Sequence, residues 1–227
     1  MNLKNITVSF GKKKVFDGFS LAIPKNKITC ILGPSGCGKT TLLNCIAGAV
    51  PYSGTIEDKP NNVAFIFQTP CLIPSMTVEK NIEYVLKSHI KNKNDRKKII
   101  SDVLEAVGLK DEKKSYPSSL SGGMAQRVSL ARAFCFPSEC ILMDEPFVGL
   151  DVSLKKQILR LFFNLYEGQN KTAVFVTHDI DEALLAGDKI VVIKSEGEYE
   201  EFYCDIPRSA RTPSSLTELK ETVYSLL

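Results

Sequence analysis

Residues 28–41 read Ile28-Thr29-Cys30-Ile31-Leu32-Gly33-Pro34-Ser35-Gly36-Cys37-Gly38-Lys39-Thr40-Thr41. The first five residues are a short, largely apolar run that predicts a buried strand. The residues that follow Thr41 favour a helix, and the three glycines in between permit a tight backbone turn. The segment therefore predicts a strand, a curled loop and a helix in direct succession.

The loop in this segment fits the pattern G-x-x-x-x-G-K-[ST], which binds phosphate groups. Glycines let several backbone N–H groups point at one anion, and the helix N-terminus adds a partial positive charge. Lys39 supplies a mobile cation, and the Thr40 hydroxyl suits Mg²⁺. The pattern therefore predicts a nucleoside-triphosphate site. Its predicted nucleotide-binding residues are Gly33, Pro34, Ser35, Gly36, Cys37, Gly38, Lys39, Thr40 and Thr41.

The composition is that of a globular protein. The 227 residues are enough to bury a sizeable core, and 44% are hydrophobic and 24% charged. A net charge of +3 argues against nonspecific nucleic-acid binding. No apolar run reaches the roughly 18 residues of a membrane span, and the N-terminus has no signal-peptide core. Seven cysteines without a C-x-x-C pair indicate reduced thiols of a cytosolic protein.

Strand and helix signals change along the chain. Residues 3–23 alternate apolar and polar positions around a turn, which predicts antiparallel strands. Residues 69–136 show only helical signals, and a basic run at 91–98 lies between two predicted helices, as a solvated linker or a surface for an anionic partner. Strands then alternate with helices, which predicts parallel crossover units. A last helix is predicted to begin with the capping box Ser215-x-x-Glu218.

Five further motifs lie at the ends of predicted strands or helices. An apolar run ends in Asp144-Glu145, where one carboxylate can hold Mg²⁺ and the other can orient or deprotonate a water. Taken alone, this dipeptide is also an ordinary surface turn. The other four motifs are Gln68, Leu120-Ser-Gly-Gly-Met-Ala-Gln-Arg-Val-Ser-Leu-Ala-Arg132, Phe147-Val-Gly-Leu-Asp151 and Thr177-His-Asp179.

In this order and spacing, the motifs within residues 3–193 resemble the ATP-binding subunit of an ATP-binding cassette (ABC) transporter. The resemblance implies an α/β fold of the P-loop NTPase type, with a parallel-sheet core, an antiparallel β edge subdomain and an inserted α-helical subdomain. It implies one ABC ATPase domain over 1–227. Within it, about 1–68 and 137–227 form a RecA-like core with the β subdomain, and about 69–136 form the helical subdomain.

The resemblance also implies roles for single residues. Lys39, Glu145 and His178 are the implied catalytic residues, with Glu145 as general base and His178 as the switch histidine near the γ-phosphate of ATP. Phe10 is the implied adenine-stacking aromatic; the family more often has Tyr there, and Phe keeps the π face. The implied ligands of Mg²⁺, direct or through water, are Thr40, Gln68 and Asp144.

Ser121, Gly122 and Gly123 are the implied ABC signature, which in the family faces the γ-phosphate bound by the other subunit. Met124 follows where many relatives carry Gln, a change that leaves the donors of the signature in place. Asp151 is the implied residue of communication between subunits. The ATP-bound state is therefore expected to be a homodimer, or a pair with another ATPase subunit, around two ATP molecules.

Together these features imply an ATPase that couples ATP binding and hydrolysis to substrate movement through a separate membrane permease. The motifs look most like those of the nitrate, sulfonate, taurine and thiamine-precursor importers, so a small solute is the expected cargo. The implied partners are the permease and an extracytoplasmic substrate-binding protein, and no nucleic acid is expected. The chain would lie peripherally at the cytoplasmic face of the cell membrane.

Residues 70–76 are the candidate contact with the permease, and ordinary packing between the lobes is the alternative for this apolar segment. A different class also stays open: a soluble, non-transport ABC ATPase that acts on a nucleic-acid or ribosome complex. Such proteins usually bring a long coiled-coil insertion or two cassettes on one chain, which this sequence does not contain. A phosphate-loop kinase of small metabolites would leave the Leu-Ser-Gly-Gly segment unexplained.

Overall fold

The computed structural model describes residues 1–194, 198–212 and 214–227, which divide into two compact units. Unit 1 comprises Met1–Val63, Glu139–Glu145 and Lys171–Leu227, and unit 2 comprises Ala64–Ser138 and Pro146–Asn170. Unit 2 therefore includes a segment after residue 145 that the sequence reading assigned to the core. The boundaries of the predicted subdomains stay a prediction.

Five strands of unit 1 form one sheet. Their order is Cys140–Asp144 (β6), Thr172–Val176 (β7), Ile28–Leu32 (β3), Lys189–Ile193 (β8) and Tyr199–Tyr203 (β9). The first four are parallel, as predicted, and β9 runs antiparallel to β8. Every residue of β3, β7 and β8 is buried, as expected for parallel strands that are covered on both faces.

A second sheet in unit 1 confirms the predicted antiparallel strands. Asn2–Phe10 (β1) pairs with Lys13–Ala22 (β2) on one side and with Ser53–Glu57 (β4) on the other. Its buried face follows the alternation of side chains along a strand, except where register shifts between β1 and β2 place two residues between successive buried ones. The buried residues of β1 and β2 are Leu3, Ile6, Val8, Phe16, Phe19 and Leu21.

The helices of unit 1 are Lys39–Ala47 (α1), Ile180–Ala186 (α6) and Thr217–Tyr224 (α7). The capping box predicted for the last helix is wrong. Helix α7 has Leu216 at its N-cap position, without a side-chain cap. The Ser215 hydroxyl accepts a hydrogen bond from the Thr212 backbone N–H at 2.8 Å. This hydroxyl therefore stabilises the turn before the helix.

Unit 2 is helical apart from Val63–Ile66 (β5), which begins at the limit of unit 1. Its helices are Val78–Leu86 (α2), Lys93–Ala106 (α3), Gly122–Cys135 (α4) and Val152–Tyr166 (α5). Helix α3 starts at Lys93 with Asn92 as its N-cap, so most of the basic run lies on a helix and not in a linker as predicted. The core of unit 2 includes Val78, Ile82, Leu86, Ile100, Leu104, Val128 and Ala131.

Four of the seven cysteines are buried, in agreement with the reading of reduced thiols: Cys30, Cys45, Cys140 and Cys204. Burial raises the pKa of the Cys140 thiol to about 12. A thiol of this kind stays protonated and unreactive at neutral pH. Within the described residues, no helix combines the length and the apolar character that a bilayer crossing requires.

Arg211 fixes the C-terminal segment to the core of unit 1. Its side chain is only 1% exposed. Nη1 donates to the carbonyl oxygens of Leu184, Leu185 and Gly187 at 2.9–3.2 Å, and Nε donates to that of Ile206 at 2.9 Å. The last carbonyls of a helix have no partner within the helix. Arg211 therefore caps the C-terminal end of α6.

Replacement of Arg211 by Met is expected to destabilise the protein by about 2–4 kcal/mol, because buried carbonyl oxygens lose their donor. The melting temperature should fall by about 5–10 °C in a thermal scan. The matched control is Arg160→Met, since Arg160 is exposed on α5. Equal melting temperatures for the two variants would show that Arg211 is not a structural cap.

Candidate functional site

The phosphate loop of unit 1 is tightly packed at both ends and open in its middle. A Cβ on Gly33 would lie 2.5 Å from the carbonyl oxygen of Ile193, and one on Gly38, where φ is +104°, would lie 2.7 Å from the ring of Phe16. Both positions therefore require glycine. A Cβ on Gly36 would meet nothing within 4 Å. An anion can approach the loop at this open point.

Helix α1 begins directly after this loop and has no side-chain cap on its first N–H groups. Each of the other α-helices that begin within residues 1–194 has such a cap. Because the first N–H groups of α1 are not capped by a side chain, they are available to a phosphate. The caps of α2 to α6 are Thr77, Asn92, Ser121, Asp151 and Asp179.

Lys39 is the first residue of α1 and is only 7% exposed. Its Nζ donates to the carbonyl oxygens of Gly33 at 2.7 Å and Pro34 at 2.9 Å. These acceptors carry no net charge, so they do not neutralise the ammonium group, which can still attract a phosphate. Within the rest of the motif, Pro34, Ser35 and Thr40 are exposed, and Cys37 and Thr41 are half-buried.

Thr40 and Asp144 bring two oxygen ligands together at the ends of α1 and β6. The Thr40 hydroxyl donates to Asp144 Oδ1 at 3.1 Å. Burial raises the pKa of Asp144, and this hydrogen bond partly opposes the shift. A carboxylate that is costly to desolvate gains from a nearby divalent cation. Two hard oxygens of this kind fit Mg²⁺.

Glu145 and His178 form a hydrogen-bonded pair. His178 Nδ1 lies 3.0 Å from Glu145 Oε2. The backbone of Glu145 has a φ of +45°, which is rare for a residue other than glycine. Its N–H donates to the carbonyl oxygen of Val176 at 2.9 Å. Strained backbone of this kind is held by its surroundings and concentrates at functional sites.

A buried network behind His178 was missed by the sequence reading. The Thr177 hydroxyl donates to Glu182 Oε2 at 2.6 Å and accepts from the Asp179 N–H at 3.0 Å. Asp179 Oδ1 in turn accepts from the Glu182 N–H at 3.2 Å. These bonds fix the turn that carries His178. The Asp179-x-x-Glu182 spacing is a helix-start signal that could have revealed this network.

Phe10 lies at the end of β1 with 53% of its surface exposed. A large aromatic ring usually avoids such exposure, so its free face is available for stacking on a base. Phe10 belongs to unit 1, which also contains residues 33–41, Asp144, Glu145 and His178.

The signature residues lie at the start of α4 in unit 2. The Ser121 hydroxyl accepts from the Met124 N–H at 3.2 Å and caps the helix. A Cβ on Gly123 would lie 2.7 Å from the Leu154 side chain, whereas one on Gly122 would meet nothing within 4 Å. Gly123 is therefore needed for the packing of α4 on α5, and Gly122 is open to a ligand.

The remaining predicted residues also lie in unit 2. Asp151 caps α5, with its carboxylate accepting from the Leu154 N–H at 3.0 Å. Gln68 is exposed after β5. The sequence reading missed Gln126, which is 2% exposed and donates to the Pro146 carbonyl oxygen at 2.6 Å. Its partner is a backbone atom, so no residue pattern signals this contact.

Comparison with known sequences identifies relatives across most of the chain. A family model described as ABC transporter matches residues 16–148. The aliphatic sulfonates import ATP-binding protein SsuB 1 of Mesorhizobium japonicum is 36% identical over 99% of this chain and 87% of that protein. The sulfate/thiosulfate import ATP-binding protein CysA of Pectobacterium atrosepticum is 38% identical over 85% of this chain, and the match spans 63% of that longer protein.

Two solved structures are also similar. The ATP-binding cassette MJ0796, solved as a dimer in a post-hydrolysis state with ADP and Pi, has a TM-score of 0.76 and 31% identity over 89% of this chain and 98% of its own. A metal-chelate type ABC transporter in an inward-facing conformation has a TM-score of 0.78 and 26% identity over 97% of this chain and 88% of its own. The chain therefore belongs to the ABC transporter family and is an ATP-binding subunit with the ABC ATPase fold.

Proposed function

We propose that this chain hydrolyses ATP to drive a separate membrane permease, as part of an importer of a small solute. The Glu145–His178 pair is the observation that carries the ATPase chemistry, because it joins a base to an orienting group in the unit that contains the phosphate loop. Import is supported by the similarity to the import ATP-binding proteins for sulfonates and for sulfate/thiosulfate. In this proposal the cargo is recognised by the partners.

The proposed reaction converts ATP and water into ADP and phosphate. Lys39 exchanges the carbonyl oxygens of Gly33 and Pro34 for phosphate oxygens, while the N–H groups at the start of α1 bind the same phosphates. Thr40 and Asp144 of unit 1 would hold Mg²⁺, and the role of Gln68 as a further ligand stays a prediction from the resemblance. When bound, this ion neutralises charge on the phosphates. Phe10 would stack on the adenine.

Glu145 would accept the proton of the attacking water. His178 Nδ1 orients its carboxylate through the 3.0 Å contact, and the buried network at Thr177 fixes the position of His178. Positioning of this kind lowers the barrier because the proton acceptor needs no reorganisation during the reaction.

A complete site would need a second ATPase subunit, identical or paired. Ser121, Gly122 and Gly123 of one subunit would face the nucleotide bound by the other, and Asp151 would link the two sites. The dimer described for the similar cassette MJ0796 supports this arrangement. The open surface at Gly122 and the serine at the start of α4 suit an anion supplied by a partner.

Residues 70–76 are the proposed contact with the permease. Asn81 is fully buried, and its Nδ2 donates to the carbonyl oxygens of Ile73, Met76 and Thr77 at 3.0–3.2 Å. Arg132 Nη1 donates to the Cys71 carbonyl oxygen at 2.6 Å. A segment whose shape is already fixed loses little conformational entropy on docking. The chain would then lie at the cytoplasmic face of the membrane, with a substrate-binding protein on the opposite side.

Replacement of Glu145 by Gln should slow ATP hydrolysis by about 10²- to 10⁴-fold, because the amide cannot accept the proton of water. ATP binding should persist, so the variant should accumulate as an ATP-bound dimer in size-exclusion chromatography. The exposed Glu167→Gln is the control, with wild-type activity expected. A wild-type rate for Glu145→Gln would rule out Glu145 as the base.

Replacement of Asp144 by Asn should stabilise the nucleotide-free protein at neutral pH. Burial is the chief cause that raises the pKa of Asp144 in the folded state, so the ionised carboxylate costs stability at neutral pH. This cost shrinks as the pH falls below that pKa and is gone below the pKa of the unfolded chain. The difference in melting temperature between variant and wild type should therefore shrink on acidification. The exposed Asp102→Asn should show no such trend.

The same Asp144 variant should lose the Mg²⁺-dependent part of its stabilisation by ATP. Wild type should gain about 2.7 kcal/mol at an ATP concentration 100 times its Kd. An unchanged gain in Asp144→Asn would remove this residue from the proposed metal site.

A pull-down of the tagged protein from detergent-solubilised membranes of its own cell tests the transport proposal. Wild type should recover a multi-span protein in stoichiometric amount. Asn81→Asp should lose it, because a carboxylate cannot donate to the three carbonyl oxygens. Arg132→Lys should weaken it, and the exposed Arg160→Gln should recover wild-type amounts. Retained nucleotide binding would show that each variant is folded. Recovery of a ribosome or nucleic-acid complex would be compatible with the proposed ATP hydrolysis and would rule out the transport proposal.

A further inference from the structure

Helices α2 and α3 carry exposed positive charge that has no role in the proposed nucleotide site. Residues 80–98 contain seven Lys or Arg and two Asp or Glu, which gives a net charge of +5. The whole chain has a net charge of +3, so the remaining residues together are at −2. Positive charge is therefore concentrated on one short segment of unit 2.

The six lysines of this segment are all exposed. Within the part of the chain that the structure describes, none of them takes part in an ion pair. They form a surface with uncompensated charge, which we call the lysine surface. It consists of Lys80, Lys87, Lys91, Lys93, Lys97 and Lys98.

The one arginine of the segment has a structural role instead. The Arg96 side chain is only 11% exposed, and its Nε donates to Glu83 Oε1 at 3.3 Å. Its Nη1 donates to the carbonyl oxygens of Ile90 and Lys91, both at 2.8 Å. Arg96 therefore ties the connection between α2 and α3 to both helices. The lysines on that connection are presented by a fixed backbone.

Helix stability does not account for two of these lysines. Lys93 and Lys97 lie in the first turns of α3, where the helix dipole disfavours cations, and they form a like-charged pair four residues apart. Asp95 is the single acid in the first turn. An arrangement that weakens its own helix is better explained by an external anion.

An exposed aromatic residue accompanies the charge. Lys80, Tyr84 and Lys87 follow one face of α2 at spacings of four and three residues. Tyr84 is 59% exposed. An aromatic ring with a hydroxyl suits the boundary between lipid headgroups and acyl chains.

We propose that the lysine surface and Tyr84 bind anionic phospholipid headgroups of the membrane that holds the permease. Clusters of four to eight basic residues on a helix are typical of such binding. The exposed cations are all lysines, which act as point charges, whereas forked recognition of nucleic-acid phosphates favours arginine. The choice of a membrane as partner rests on the proposed function. The charge and geometry of the surface stand without it.

Flotation of the purified chain with vesicles tests this proposal without a permease. The wild type should bind vesicles of equal parts phosphatidylglycerol and phosphatidylcholine at low salt, and binding should be lost at high salt or with phosphatidylcholine alone. The quadruple variant Lys87→Gln, Lys91→Gln, Lys93→Gln, Lys97→Gln should bind more than 100-fold more weakly, since each lysine contributes about fivefold. Tyr84→Ser should bind several-fold more weakly.

The control removes four exposed cations elsewhere in unit 2: Lys113→Gln, Lys114→Gln, Lys156→Gln and Arg160→Gln. It has the same net charge as the quadruple variant and should bind vesicles as wild type does. Unchanged ATP-induced thermal stabilisation would show that both variants are folded.

Three results would overturn the proposal. These are no binding of wild type to anionic vesicles, equal loss of binding in both quadruple variants, and lysine-dependent binding to RNA or DNA that exceeds binding to vesicles. If vesicle binding fails while a multi-span partner is still recovered, the lipid inference falls and the transport proposal stands. If vesicle binding holds without such a partner, the lipid inference stands and the transport proposal falls.

Discussion

The turn from β3 into α1 has no room for a side chain at either of its ends, and the nucleotide site depends on this constraint. Gly33 lies against the backbone of β8, and Gly38 lies against Phe16 of β2. Both sheets of unit 1 therefore set the path of the loop. Because the path is set from both sides, the first N–H groups of α1 are held in place without a side chain to cap them.

Three other site residues also have a structural role in the fold. Ser121 and Asp151 cap α4 and α5, and Gly123 allows the close packing of these two helices. A helix N-terminus needs an acceptor for its N–H groups, and either a side chain or a bound anion can supply it. The same physical requirement thus explains why the phosphate loop, the signature and Asp151 all lie at helix starts.

The sequence was sufficient to predict the order of strands and helices and the residues of the phosphate loop. Apolar runs of five residues became buried parallel strands. These features depend on local preference and periodicity, which a single sequence contains. The resemblance implied roles for Thr40, Asp144, Glu145 and His178, and the contacts of Thr40 with Asp144 and of Glu145 with His178 are compatible with those roles.

Other features depend on partners that carry no signal in the sequence. Arg211 lies in a segment that reads as a polar loop, yet it is buried because it donates to backbone carbonyl oxygens. The positive φ of Glu145 is imposed by its surroundings, since glutamate does not favour this conformation. The close approach of Leu154 to Gly123 joins residues far apart in the chain. Only three-dimensional packing determines these contacts.

The two hydrogen bonds from Lys39 to the loop carbonyls have a thermodynamic consequence. They hold the loop in shape before any nucleotide arrives, so binding exchanges existing hydrogen bonds and does not have to order a disordered loop. The entropy cost of association is smaller as a result. The enthalpy released is also smaller, because the ammonium group already has two acceptors to give up. In the proposed nucleotide site, the loop carbonyl oxygens and the phosphates of ATP therefore compete for Lys39.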